Sequence, residues 1–213
     1  MPGETANPVQ LAIFAKAPIA GYAKTRLISA LGSDGAASLQ ALLVRRTVRT
    51  ALASSVRPLS LWCAPDTTHD LFASLQREYA IETFAQSGDD LGMRMLNAFE
   101  VMTKSAPTLL IGTDCPALSA AHLDRCALAL RNGDDAVFVP VEDGGYALIG
   151  LRRPVRPLFE DIAFGTSDVM RQTRERLSEL GLSAFEADAL WDVDTSADYE
   201  RANSAGLLSM HAL

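Results

Sequence analysis

The chain predicts an α/β fold, a parallel sheet with helices packed on its faces. The first half alternates short apolar runs with longer amphipathic segments in the order β-α-β-α-β, the pattern of parallel strands joined by helical crossovers. A second observation is the run Leu109-Leu110-Ile111, which stops at Gly112-Thr113-Asp114-Cys115-Pro116. Three aliphatic residues in a row read as a buried strand, and the proline ends its ladder. A third is size: 213 residues, 48% of them hydrophobic and 21% charged, suit one domain with a sizeable core. The whole of 1–213 is read as that domain, with no repeat, low-complexity tract or linker.

Val9 to Ala15 is the first strand, and a long helix capped at Ser33-Asp34 runs through about Ser54. Arg45, Arg46 and Arg49 on that helix read as a solvated face. Pro58 to Ala64 is the second strand, followed by a helix to about Glu78 and a brief strand from Ile81 to Phe84. Ser87 or Asp89 caps the next helix, Leu91 to about Lys104. Ser119 caps a helix to about Arg131, and Asp135 to Pro140 is a further strand. After it, Asp143-Gly144-Gly145 reads as a hairpin turn or as a ligand-approached loop. A helix from Thr166 or Ser167 runs to about Leu180, and Ser183 to Glu186 forms a short strand. The last helix is capped by Thr195 or Ser196.

Composition excludes several classes. A net charge of −7 argues against broad binding to nucleic-acid polymers or to an anionic membrane. No apolar run approaches the ~20 residues of a spanning helix, and Met1 to Pro8 lacks a signal-peptide core. Cys63, Cys115 and Cys126 have no metal-ligand spacing and leave one thiol over, as in a reducing cytoplasm.

Four stretches carry chemistry. Lys16, Lys24 and Arg26 fall within eleven residues after the first strand, with Pro18 and Gly21 between them. Convergent cations and free backbone N–H groups suit a polyphosphate, although the spacing is not that of a Walker loop. In Gln86 to Met95, Arg94 lies in the first helical turn, where the helix dipole disfavours a cation without an anionic partner. A phosphate, Asp89 or Asp90 would serve. Asp114 at a strand's C-terminal tip lies where open α/β sheets bind ligands. A carboxylate there ligates Mg²⁺ or simply closes an Asx turn. Near the C-terminus, strand alternation would set Asp192 and Asp194 on one side.

Taken in order, six motifs resemble one family. They are Ala15-Lys16-Ala17-Pro18-x-x-Gly21-x-x-Lys24-Thr25-Arg26-Leu27, Gly88-x-Asp90-Leu91-Gly92-x-Arg94-Met95, Gly112-Thr113-Asp114-Cys115-Pro116, Asp143-Gly144-Gly145-Tyr146, Phe164-Gly165-Thr166-Ser167 and Asp192-Val193-Asp194-Thr195. The family is the bacterial glycosyltransferase-like group of radical-SAM/selenodomain-associated transferases, carried under a domain-of-unknown-function label. The likeness spans about residues 9 to 202. One departure is Phe164, where Trp is expected.

The resemblance implies a Rossmann-like three-layer α/β/α fold with a mostly parallel mixed sheet, the GT-A fold of nucleotide-diphospho-sugar transferases. It implies a metal-dependent transferase using a nucleotide or nucleotide-sugar and a small-molecule acceptor. Glycosyl transfer, nucleotidyl transfer with release of pyrophosphate, and nucleotide binding without catalysis all remain open, as does a homodimer. Asp114 and Asp194, with Asp192 in reserve, would hold Mg²⁺ or Mn²⁺. Ala15, Lys16, Pro18, Gly21, Lys24, Thr25, Arg26 and Thr113 would bind the nucleotide, with Lys16, Lys24 and Arg26 on its phosphates. Gln86, Gly88, Asp90, Gly92 and Arg94 would contact the base or ribose. Asp143, Gly144, Gly145, Tyr146 and Thr166 would face the second substrate, with Asp143 or Glu142 as base, and Asp114, Asp143 and Lys24 as the catalytic set. A dehalogenase-like phosphatase is excluded, because the first strand ends in Ala15-Lys16-Ala17 and not in an Asp-x-Asp pair.

Overall fold

Apolar residues alternate along each central strand, so each strand feeds two cores. The computed structural model describes residues 8–209; Met1 to Asn7, and with them most of the segment read for a leader, lie outside the described residues. The strands are β1 (Gln10–Lys16), β2 (Leu59–Ala64), β3 (Glu82–Ala85), β4 (Thr108–Ile111), β5 (Ala136–Pro140), β6 (Tyr146–Leu151) and β7 (Ala184–Glu186). They form one sheet in the order β3-β2-β1-β4-β6-β5-β7. Neighbours pair in parallel except at β6, which runs antiparallel to both β4 and β5. The three-layer, mostly parallel mixed fold is therefore present.

The helices are α1 (Ile28–Ala53), α2 (Asp70–Tyr79), α3 (Leu91–Met102), α4 (Ala120–Asn132), α5 (Val169–Glu179) and α6 (Ser196–Ser204). On one face Leu11, Ile13, Leu109, Ile111 and Val137 pack with Val44 and Val48 of α1, Phe72 of α2 and Leu130 of α4. On the other, Phe14, Trp62, Leu110, Phe138 and Ile149 meet Leu96 and Phe99 of α3 and Met170 and Leu177 of α5. A smaller cluster of Leu27, Leu39, Leu43, Val193 and Ala202 ties α6 and the segment before it to α1.

Several boundaries differ from the sequence reading. Helix α1 begins at Ile28, and Gly32 breaks it with φ 70° just before the expected cap. Asp90, not Ser87 or Asp89, caps α3 by accepting from the Met93 N–H. Thr195 caps α6 in a reciprocal box with Asp198. The arginines of α1 are not simply solvated: Arg46 donates to the Pro116 carbonyl at 3.1 Å and Arg45 pairs with Glu78. The segment Thr25–Ala53 is also long and apolar enough to cross a membrane by length and composition, contrary to the sequence reading. Here Leu43, Val44, Val48 and Ala51 spend that apolar face on the core.

Gly150 shows how tightly the reversed strand fits. It pairs in register with Leu109 on one side and Val137 on the other. A Cβ there would stand 2.4 Å from the Leu109 side chain and 2.5 Å from that of Val137, so the two side chains close over the glycine. Gly150→Ala is expected to cost about 1–3 kcal/mol through overpacking. Urea denaturation checks this, and an unchanged midpoint would mean that the flanking side chains move aside.

Candidate functional site

The candidate site is built at the C-terminal ends of β1 and β4, with the segment before α6 laid across them. Three loops meet there. After β1 the chain turns tightly, the Tyr22 and Ala23 N–H groups both donating to the Ile19 carbonyl. Gly21 takes φ 80°, and Lys24 itself stands in the left-handed region at φ 49° before the 3-10 turn Thr25–Leu27. A non-glycine residue held there is unusual and reflects constraint by its surroundings.

The constraint is visible in the side chain. Lys24 Nζ lies 2.9 Å from Asp114 Oδ1, 3.3 Å from Asp194 Oδ1 and 2.6 Å from the Val193 carbonyl oxygen. The lysine side chain is 5% exposed, whereas those of Asp114 and Asp194 are 48% and 33% exposed. Burial alone would lower the lysine pKa, but the Asp114 and Asp194 carboxylates outweigh it and raise it above the ordinary value. Arg26 Nη1 reaches Asp194 Oδ2 at 3.1 Å from a largely exposed position. The Val193 N–H donates to the Asp114 carbonyl at 2.8 Å, which docks the C-terminal segment onto the tip of β4.

Two further carboxylates crowd this pair. Asp192 is pushed up to about 6, first by burial and then by the charges of Asp143, Asp194 and Asp114. Residues 191–194 are irregular and not a strand, so the alternation argument for Asp192 and Asp194 does not apply. Their proximity comes from the docking at Val193.

The donor set fits a hard divalent cation in part. Asp114 and Asp194 already point an oxygen each at one shared cation, the lysine ammonium. Among the described residues no three His, Cys, Asp or Glu side chains form a closed metal nest. An ion held by the two aspartates would take its remaining oxygens from phosphate and water, as Mg²⁺ commonly does.

Other residues singled out in the sequence fall into place differently. Ala15 is buried in β1 opposite Cys63, so its side chain faces the core. The Thr113 hydroxyl is buried and accepts from Gln40 Nε2 at 3.3 Å. That same amide donates to the Lys16 carbonyl at 3.3 Å. Gln40 thus clamps the ends of β1 and β4 together. Sequence reasoning missed it, although a polar residue among the apolar positions of α1 was the available signal. Lys16, Gly21 and Thr25 are exposed.

In the loop before α3 the side chains shape the backbone. Gln86 donates to the Trp62 carbonyl, Asn97 to the Ser87 carbonyl, and Arg94 Nε to the Gly88 carbonyl at 3.0 Å. The partner of Arg94 is therefore the loop itself and neither Asp89 nor Asp90. Gly88 has φ 135°. A Cβ on Gly92 would meet the Phe159 carbonyl and the Phe164 ring at 2.6 Å each, so that glycine lets the segment before α5 pack onto α3.

At the β5–β6 turn, Asp143 Oδ1 accepts from the Gly145 N–H at 3.0 Å. A Cβ on Gly144 would lie 2.1 Å from the Ser167 carbonyl. Glu142 is held by Arg201 Nη1 and Nη2 at 2.7 and 3.1 Å, which keeps its carboxyl below the usual range. Of the two carboxylates read as a base, Asp143 is the one not engaged by an arginine here. Beside it a cavity of about 170 Å³ opens between the sheet, α3 and α5. Tyr146 and Thr166 line it. The Tyr146 hydroxyl is buried without a hydrogen-bond partner, and burial raises its pKa. The three thiols are buried, and burial pushes Cys63 and Cys126 up to about 12 and Cys115 to about 11, which disfavours the thiolate form.

The chain belongs to the family described as uncharacterized proteins conserved in bacteria, DUF2064, whose signature matches residues 47–166. Among solved structures, a candidate nucleotide-diphospho-sugar transferase from Desulfovibrio desulfuricans G20 is 27% identical. The match covers 94% of this chain and 93% of that one, with a TM-score of 0.81. A 4-diphosphocytidyl-2C-methyl-D-erythritol synthase from Anaerococcus prevotii DSM 20548 shares the fold at 13% identity, TM-score 0.62, covering 94% and 96% of the two chains. So does a CMP:2-keto-3-deoxy-manno-octonic acid synthetase solved with CTP, at 12% identity, TM-score 0.61, covering 93% and 98%. No curated protein matches the chain. The fold is that of the nucleotide-diphospho-sugar transferases and cytidylyltransferases.

Removing the lysine tests the electrostatics of the site. Lys24→Met leaves Asp114 and Asp194 facing one another with Arg26 alone, and is expected to cost about 1–3 kcal/mol, reduced from a fully buried pair by the carboxylates' exposure. Adding Asp194→Asn should recover part of that loss. Urea unfolding of the single and double variants measures it; equal stability of parent and Lys24→Met would show that the carboxylates do not repel.

Proposed function

We propose that this protein is a metal-dependent transferase that uses a nucleotide-activated donor, glycosyltransferase-like in its chemistry. The observation that carries the reading is the convergence of Asp114 and Asp194, 80 residues apart in sequence, on a single cation at the C-terminal edge of the sheet. That edge is where open α/β sheets bind ligands. The likeness to nucleotide-diphospho-sugar transferases and cytidylyltransferases supports the same reading.

Asp114 and Asp194 would hold Mg²⁺ or Mn²⁺ together with phosphate oxygens. When bound, the ion supplies charge neutralisation at the departing phosphate. The chain's own residues do the rest. Arg26, largely exposed beside Asp194, presents its guanidinium to the phosphates, and Lys24 shares its ammonium between the aspartates and an arriving phosphate. Lys16 adds a further cation at the end of β1. The acceptor lies at the Asp143 turn. Its oxygen forms a bond to the donor sugar carbon while the carbon–oxygen bond to the nucleoside diphosphate breaks, the electron pair leaves with the diphosphate, and the proton passes to Asp143.

Nucleotidyl transfer is the second reading, favoured by the fold shared with cytidylyltransferases. There the acceptor oxygen would attack the α-phosphorus and pyrophosphate would leave. Released product separates the two: nucleoside diphosphate marks glycosyl transfer and pyrophosphate marks nucleotidyl transfer.

A thermal-shift panel of nucleoside triphosphates and sugar nucleotides, with and without Mg²⁺ or Mn²⁺, is expected to show a metal-dependent rise in melting temperature for one nucleotide class. Asp114→Asn should abolish the metal-dependent part. If no nucleotide stabilises the protein, or Asp114→Asn responds like the parent, the metal-site reading fails. Arg26→Ala should weaken nucleotide binding by about 1.5–3 kcal/mol, the size of a lost charge-assisted contact. Calorimetry that returns the parent's affinity would place Arg26 outside the phosphate site.

A further inference from the structure

The cavity beside Asp143 constrains the acceptor more sharply than the fold does. It sits on the α3 and α5 face of the sheet, walled by Phe14, Leu91, Met95, Leu110, Ile149 and Phe164, and reaches the sheet edge at Gly112 and Asp143. Gly112 is two residues before Asp114. Asp143 lies in the turn after β5, at the same end of the sheet as the tip of β4. The cavity is thus continuous with the reacting edge, while its body is hydrocarbon and aromatic. Its volume of about 170 Å³ is that of a group the size of one six-membered ring, since an apolar cavity of about 150 Å³ takes benzene.

The charges are equally informative. Among the described residues no lysine, arginine or histidine lines the cavity, and Asp143 is its one carboxylate. Lys24 and Arg26, the cations of the neighbouring site, pair with Asp114 and Asp194 and do not line the cavity. A phosphate or carboxylate carried into this space would lose its hydration, gain no counter-ion and meet an aspartate. A sugar ring would meet Thr166 and the backbone at Gly112 and Gly145 on one side only, leaving hydroxyls on its other side without partners against the phenylalanine and leucine wall.

We infer that the acceptor is an uncharged or cationic amphipathic molecule, an alcohol or amine whose apolar body of about one ring fills this cavity while its nucleophilic oxygen or nitrogen rests on Asp143. This rests on the transferase reading and sharpens it: a neutral hydroxyl or amine is the nucleophile, and a phosphorylated or carboxylate acceptor is disfavoured. Gly145 lines the cavity without a side chain, and its hydrogen bond to Asp143 Oδ1 leaves Oδ2 for the ligand.

An isosteric probe series tests the inference on the full chain without nucleotide or metal. Benzyl alcohol, benzylamine, benzoate and benzyl phosphate are titrated while ¹³C-methyl methionine resonances are followed, the Met95 signal being assigned with Met95→Leu. Benzyl alcohol and benzylamine should shift the Met95 methyl saturably, with benzoate and benzyl phosphate at least about tenfold weaker because they bring an unpaired anion to Asp143. Asp143→Asn should bring benzoate to within about threefold of benzyl alcohol. The inference is overturned if the anionic probes bind the parent as tightly as the alcohol, if none saturates, or if Asp143→Asn leaves the ratio unchanged. It falls also if cytidine or guanosine competes with benzyl alcohol for the Met95 signal, for the cavity would then be the base pocket. The nucleotide thermal-shift panel is scored separately. Failure there with benzyl alcohol bound at Met95 would remove the donor and leave the pocket.

Discussion

The site depends on one buried ammonium placed between two carboxylates. Without Lys24, the docking of the Asp192 to Asp194 segment against the tip of β4 would bring like charges together with little to oppose them. With it, Asp114 and Asp194 are held at a spacing set by a single shared cation. The backbone adapts to deliver that group: Lys24 accepts a left-handed conformation, a local cost of about 1 kcal/mol or more, and its ammonium also caps the Val193 carbonyl. Strand tip, first loop and C-terminal segment are therefore one electrostatic unit.

Around that unit the sheet divides labour between its faces. The α1, α2 and α4 face is filled by aliphatic residues from alternate strand positions, and Gln40 reaches from α1 to clamp the ends of β1 and β4. The α3 and α5 face is richer in aromatic residues and ends in the open cavity. Charged side chains collect at the sheet edge, and the apolar cavity lies beneath it on one side.

Much of this was legible in the sequence, and the exceptions share a cause. The strand at Leu109 to Ile111, the caps at Ser119 and Thr195 and the closing of the chain by Asp192 to Asp194 follow from local patterns: apolar runs, capping residues and turn formers. The grouping of Lys24 with phosphate-binding cations was equally local, and it could not show that the lysine's partners lie 90 and 170 residues further on. Arg94 illustrates the same limit, since its partner is a carbonyl of its own loop and backbone groups carry no signature in side-chain identity. Thr113 and Gly92 turned inward because their neighbours in space, Gln40 and Phe164, come from distant segments. Side-chain direction at a strand end is decided by packing that only the assembled fold supplies.

Strand β6 offers a consequence of a different kind. Because it runs against β4 and β5, the link from β5 is a short turn at the reacting edge where a parallel strand would have demanded a crossover helix. Hairpin tips tolerate insertions and exchanges at small entropic cost, since loop closure depends only weakly on length. That freedom is narrowed here, because Glu142 is held by Arg201 of α6 and Gly144 packs against Ser167, so a change in the turn must be absorbed by α6 and by the segment before α5. The other half of the edge, built from β1, β4 and the segment before α6, carries the constrained charges. The reversed strand thus brings a short, anchored turn, and not a helix, to the edge where the carboxylates gather.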